Sequence, residues 1–136
     1  MTPAERLARI AATSDDPDTQ TACYAADRFG QVLCETSNTI PIGVRKLRER
    51  LLRPDKYDFI QHAEANLVAA PGNLTGSTVY LNWFPCSTCA SLLVTAGIAR
   101  LVADRAAYEA RKDDPRYGFA NAMAKLTEAG VEIEWM

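Results

Sequence analysis

Two short segments hold the side chains that could do chemistry together: His62-Ala63-Glu64 and Pro85-Cys86-Ser87-Thr88-Cys89. Positions i and i+3 of a helix share a face, so Cys86 and Cys89 can aim both sulfurs at one point. A helix N-terminus favours the thiolate form that a metal needs. His62 is the only histidine of the chain and supplies the one imidazole. One imidazole and two thiolates suit Zn²⁺, and three protein ligands leave the fourth tetrahedral corner open, the pattern of a catalytic site. Zinc brings the pKa of bound water down to roughly 7. Glu64 is placed to take that water's proton and return it to a substrate, provided His62 sits at the very edge of its helix, since i and i+2 otherwise face apart. A structural zinc with Cys34 or Cys23 as fourth ligand, or a redox pair at Cys86 and Cys89, stays open on spacing alone.

Both motifs are read as opening helices. His62 to Ala70 is apolar and Ala-rich and stops at Pro71-Gly72; Cys86 to Ala96 lies between Pro85 and Gly97. Ahead of them, Ala4 to Ala12 places Leu7, Ile10 and Ala11 on one helical stripe. Thr21 to Ala26 and Gln31 to Thr36 read as strands around Asp27-Arg28-Phe29-Gly30, a hairpin that sets Cys23 opposite Cys34. Val44 to Arg53 carries five basic side chains and is read as a short helix. Thr78 to Leu81, Leu101 to Ala103 and Val131 to Trp135 are strands, and Phe119 to Ala129 a helix closed by Gly130. Strands alternating with helices after residue 60 indicate a layered α/β domain, one over residues 1–136.

Composition narrows the function classes. Lys plus Arg is 15 against 17 Asp plus Glu, a net charge of −2, which does not suit a nucleic-acid coat. No apolar run approaches the roughly 18 residues of a bilayer span. The first residues, Met1 to Arg6, do not read as a signal peptide, and four cysteines are too few for a disulfide scaffold, so a cytoplasmic protein with reduced thiols is expected.

With these motifs the sequence resembles the zinc-dependent cytidine and deoxycytidylate deaminase superfamily, whose signature is H-x-E followed by P-C-x-x-C. It is most similar to the deoxycytidylate branch. Asp16-Pro17-Asp18-Thr19-Gln20 resembles that branch's D-P-x-T-Q stretch, and Asn38-x-x-Pro41-x-Gly43 its N-x-x-P-x-G loop. Lys56-Tyr57, Asn66 and the run from Phe84 to Ile98 also match, whereas Glu35-Thr36-Ser37 and Thr39 depart from the pattern, and it cannot be followed from Tyr108 to Gly118.

The resemblance implies a three-layer α/β/α sandwich around a mixed five-stranded sheet, one zinc per chain, and hydrolysis of an exocyclic ring amine to a carbonyl with release of ammonia. It implies dCMP as substrate, Glu64 as proton shuttle, and Asn38, Ala63 and Pro85 as candidate substrate contacts. The same chemistry on a free base, nucleoside or other aminated heterocycle is the alternative, followed by nucleic-acid editing. A nucleotide would need a cationic phosphate site, for which Arg45, Lys46, Arg48, Lys56 and Arg116 are the candidates. Relatives generally associate, so a homo-oligomer is expected.

Overall fold

Short strands that are apolar on both faces belong in a sheet covered on both sides. A computed structural model describes residues 1–136. Strands β1 (Ala22–Ala26), β2 (Val32–Ser37), β3 (Thr78–Leu81), β4 (Arg100–Ala103) and β5 (Glu132–Trp135) form one sheet in the order β2-β1-β3-β4-β5. β1 runs antiparallel to β2 and β3, while β3–β4 and β4–β5 are parallel. Parallel neighbours need crossovers, and the helices α4 (Ser87–Thr95) and α6 (Phe119–Glu128) make them. The mixed five-stranded sheet of the sequence reading is present.

Period-2 alternation divides β1 between two cores. Tyr24 and Ala22 meet Leu7, Ile10 and Ala11 of α1 (Pro3–Ala11) on one face. Tyr24 also stacks on its cross-strand partner Tyr80, with ring centroids 4.6 Å apart. Cys23 and Ala25 face the other way, into the larger core built with Val79, Leu81, Leu101 and the buried sides of α4, α6 and α3 (Ala63–Ala69). Helix, sheet and helices are the three layers.

Three local expectations change. The hairpin pairs Cys23 with Thr36 and Cys34 with Ala25, so the two cysteines are diagonal neighbours on one face and not opposite each other. A turn centred on Phe29, where Asp27 N–H donates to Gln31 O, and a register irregularity at Ala25/Ala26 each move the pairing by one residue. Of Val44 to Arg53 only a 3₁₀ turn, Arg48–Leu51, forms, and it buries no residue. A run of like charges without a buried face cannot sustain a longer helix. Conversely, α2 (Lys56–Phe59) and α5 (Arg105–Arg111) appear where none was expected. Asp104 caps α5 by accepting from Ala107 N at 2.8 Å. No helix is long and apolar enough to cross a membrane.

Candidate metal centre

Each metal-ligand candidate stands at a helix start. His62 is the N-cap of α3, with φ −62° and ψ 149°, and Cys86 is the N-cap of α4, with φ −66° and ψ 169°. Neither side chain caps its own helix, so both remain free to point into the space between. His62 therefore lies outside the helical register, and this places Glu64 on the same side despite the two-residue spacing.

Hydrogen bonds from elsewhere fix the two helix starts. Gln61 and Thr39 exchange backbone bonds of 2.8 and 3.1 Å. Asn66 Nδ2 donates to Ser37 O at 2.8 Å, and Thr36 Oγ1 donates to Ala63 O at 2.8 Å. These bonds tie α3 to the end of β2. At α4, Lys125 Nζ donates to Ser87 O, Ser87 Oγ and Ser91 Oγ at 2.8 to 3.1 Å, clamping the turn between the two cysteines. The sequence carried no signal for this clamp, because it depends on how α6 packs against α4.

His62 Nδ1 lies 3.4 Å from Cys89 Sγ and 3.7 Å from Cys86 Sγ, and the three donor atoms lie within 4.8 Å of one another. A tetrahedral zinc with bonds of about 2.0 Å to nitrogen and 2.3 Å to sulfur requires nitrogen–sulfur separations of about 3.5 Å. The donor set fits zinc in both identity and spacing. Cys23 and Cys34 are not part of this cluster, which removes them as fourth ligands.

Without metal the two thiols share a proton. Hydrogen bonding from Cys89 outweighs burial and, with His62, holds Cys86 down at about 4. The Cys86 sulfur, and then burial, push Cys89 up. The hydrogen bond to Cys86 likewise raises His62 above its ordinary value. A divalent cation would replace this shared proton. Glu64 is 4% exposed, and burial pushes it up to about 7, with His62 opposing and the Cys86 sulfur adding to the rise.

These groups open onto a cavity of about 320 Å³ whose walls include Asn38, Trp83 and Tyr117. Asn38 lines it, yet most of its amide is engaged. Oδ1 accepts from Ser14 Oγ and from Thr21 N at 3.0 Å, and Nδ2 donates to Thr19 O at 2.9 Å, so one N–H remains for a ligand. Ala63 and Pro85 are buried beside the lining residues His62 and Glu64, Phe84 and Cys86.

The cationic candidates divide. Lys56 lines the cavity but is buried on Asp16, its Nζ 3.1 and 3.2 Å from the two carboxylate oxygens. Arg45, Lys46, Arg48 and Arg116 do not line it; Lys46 pairs with Asp15 and Arg116 with Asp114. Arg53 and Arg111 line it instead. Residue type alone could not select these two from the chain's 15 basic residues.

The family model described as "Cytidine and deoxycytidylate deaminase zinc-binding region" matches residues 1–104. A probable deoxycytidylate deaminase of Caenorhabditis elegans is 30% identical over 106 residues, which cover 71% of this chain and 52% of that protein. The chain spans about half the length of the curated deoxycytidylate deaminases of C. elegans and Homo sapiens. Among solved structures, the dCMP deaminase of cyanophage S-TIM5 in apo form superposes with a TM-score of 0.72 at 18% identity, covering all of both chains. The same enzyme in complex with dCMP and dUMP gives 0.68 at 20% identity, covering 100% of this chain and 99% of that one. At such identities these structures bear on the fold.

Proposed function

Because the chain belongs to the cytidine and deoxycytidylate deaminase family, in its zinc-binding region, we propose that it is a hydrolytic deaminase. It converts the exocyclic amine of a pyrimidine-type base to a carbonyl, with dCMP to dUMP as the preferred reaction. One observation carries the reading: His62, Cys86 and Cys89 stand at zinc-compatible separations, with the buried Glu64 in the same cavity. Bound there by these three ligands, Zn²⁺ would act as a Lewis acid that makes water nucleophilic near neutral pH.

The remaining chemistry belongs to the chain. Glu64 carries the two protons of the attacking water in turn, one to the ring nitrogen beside the reacting carbon and one to the departing amine nitrogen, so that ring amine plus water becomes ring carbonyl plus ammonia. The free N–H of Asn38 orients the substrate, and the half-buried Trp83 offers a stacking surface for its ring. The dCMP and dUMP bound by the cyanophage relative support a nucleotide as ligand. The test is ammonia release from zinc-loaded protein with dCMP, CMP, deoxycytidine, cytosine, adenine and guanine. dCMP should give the highest kcat/KM. A preference for a free base would overturn dCMP while retaining the reaction, and no ammonia from any of them would overturn the reaction.

A further inference from the structure

Beyond residue 104, where the family match ends, α5 and the turn after it add residues to the cavity wall. Among them is Arg111, in the last turn of α5. Its guanidinium lies 4.2 Å from the Trp83 ring centroid and 5.8 Å from that of Tyr117. Its hydrogen bonding within the protein is one long contact, 3.5 Å to Ala107 O, and no carboxylate pairs with it. The other cations of the wall are engaged. Lys56 is buried on Asp16, and Arg53 donates to Tyr57 Oη at 2.7 Å and stands 3.8 Å from Asp18. Arg111 is thus the one cation of the cavity without a carboxylate.

We propose that Arg111, held over the Trp83 ring, binds the anionic group of the substrate and so selects a nucleoside monophosphate over the nucleoside or free base. The inference rests on the deaminase reading and deepens it. A guanidinium presents five N–H donors in a plane. The contact with Trp83 uses none of these donors, and all but the one in a long bond to Ala107 O remain free for a phosphate, which a guanidinium matches bidentately. The contact also restrains a long side chain before any ligand arrives, so less entropy is lost on binding. Trp83 lies three residues ahead of Cys86, so the anion platform and the metal ligand share one short segment, no more than about 11 Å long when fully extended.

The experiment compares zinc-loaded wild type, Arg111→Ala and Arg111→Lys, with Arg28→Ala in the exposed hairpin turn as control. Two quantities are read: the ratio of kcat/KM for dCMP over deoxycytidine, and calorimetric affinities for dUMP and deoxyuridine. Arg111→Ala should lower the turnover ratio about 10- to 100-fold, mostly through KM, and weaken dUMP by a similar factor relative to deoxyuridine. Arg111→Lys should fall between, keeping charge without the fork, and Arg28→Ala should match wild type. If Arg111→Ala keeps the wild-type ratio and dUMP affinity, the subsite is overturned while the deaminase reading stands. If wild type turns over neither compound yet binds dUMP in an Arg111-dependent way, the anion subsite stands and the substrate reading fails. A wild type that binds dUMP no better than deoxyuridine overturns the subsite as well.

Discussion

His62 Nδ1 and Cys89 Sγ lie 3.4 Å apart although 27 residues separate them in the chain. Two helix starts packed side by side create this proximity, and neither start uses its N-cap side chain to satisfy its own backbone. Purified protein should therefore carry about one zinc per chain by elemental analysis. Cys86→Ala or Cys89→Ala should bring that to near zero after dialysis. Chelation should lower the melting temperature of the wild type, because metal binding is coupled to the folded arrangement of its ligands.

Glu64 is not required as a ligand by this geometry, so metal content and turnover should separate. Glu64→Gln should keep its zinc and lose at least about 10²-fold in kcat. Full turnover in that variant would move the proton shuttle to another group, and no other titratable side chain in the cavity wall stands beside the metal ligands in sequence.

The same carboxyl gives metal-free protein a pH signature. A group near 4.5 when unfolded and about 7 when folded holds more protons in the native state between those values. The contribution of this carboxyl is then full below about pH 4.5 and declines as pH rises toward 7, by roughly 3 kcal/mol in all. In urea unfolding from pH 5 to pH 7.5, chelator-treated wild type should lose stability relative to chelator-treated Glu64→Gln, whose amide does not titrate, because the contributions of Cys86 and His62 are common to both.

The chemistry was legible because it is local. His62, Glu64, Cys86 and Cys89 could be grouped as candidates from spacing and helix-start signals, and the structure brings them together; Pro85, Gly97 and the Pro71-Gly72 pair marked the same helices that the structure contains. The hairpin register failed because the turn is centred on Phe29 and an irregularity near Ala26 shifts every pair behind it by one more residue. The cation candidates failed to converge for a different reason. Arg45 and Lys46 resemble Arg53 and Arg111 in type, and only the tertiary path of the loop and of α5 decides which of them meet the cavity. Lys56 was legible as a matching residue but not as a buried one, because its partner Asp16 lies 40 residues away.

That pair gives the last expectation. Asp16 accepts from the backbone N–H groups of Asp18 at 2.8 Å and Thr19 at 3.1 Å, and Lys56 Nζ lies 3.1 Å from the same oxygen. Side-chain exposures of 8% and 4% mean that neither charge has water to fall back on. Lys56→Met should destabilise the fold by about 3 to 5 kcal/mol, because it leaves a buried carboxylate without its counter-ion. Asp16→Asn with Lys56→Met should recover much of that loss, since no net charge is then buried at the pair. Acid should act on the wild type in the same direction. Burial alone would raise Asp16, but the two N–H groups and Lys56 outweigh it and hold the carboxyl below its ordinary 3.8. A depressed native value contributes stability that is complete above the unfolded value and is lost as pH falls through the native one. Below about pH 4, wild type should therefore lose stability more steeply than the double variant in denaturant titrations, and parallel acid profiles would show that the pair does not contribute.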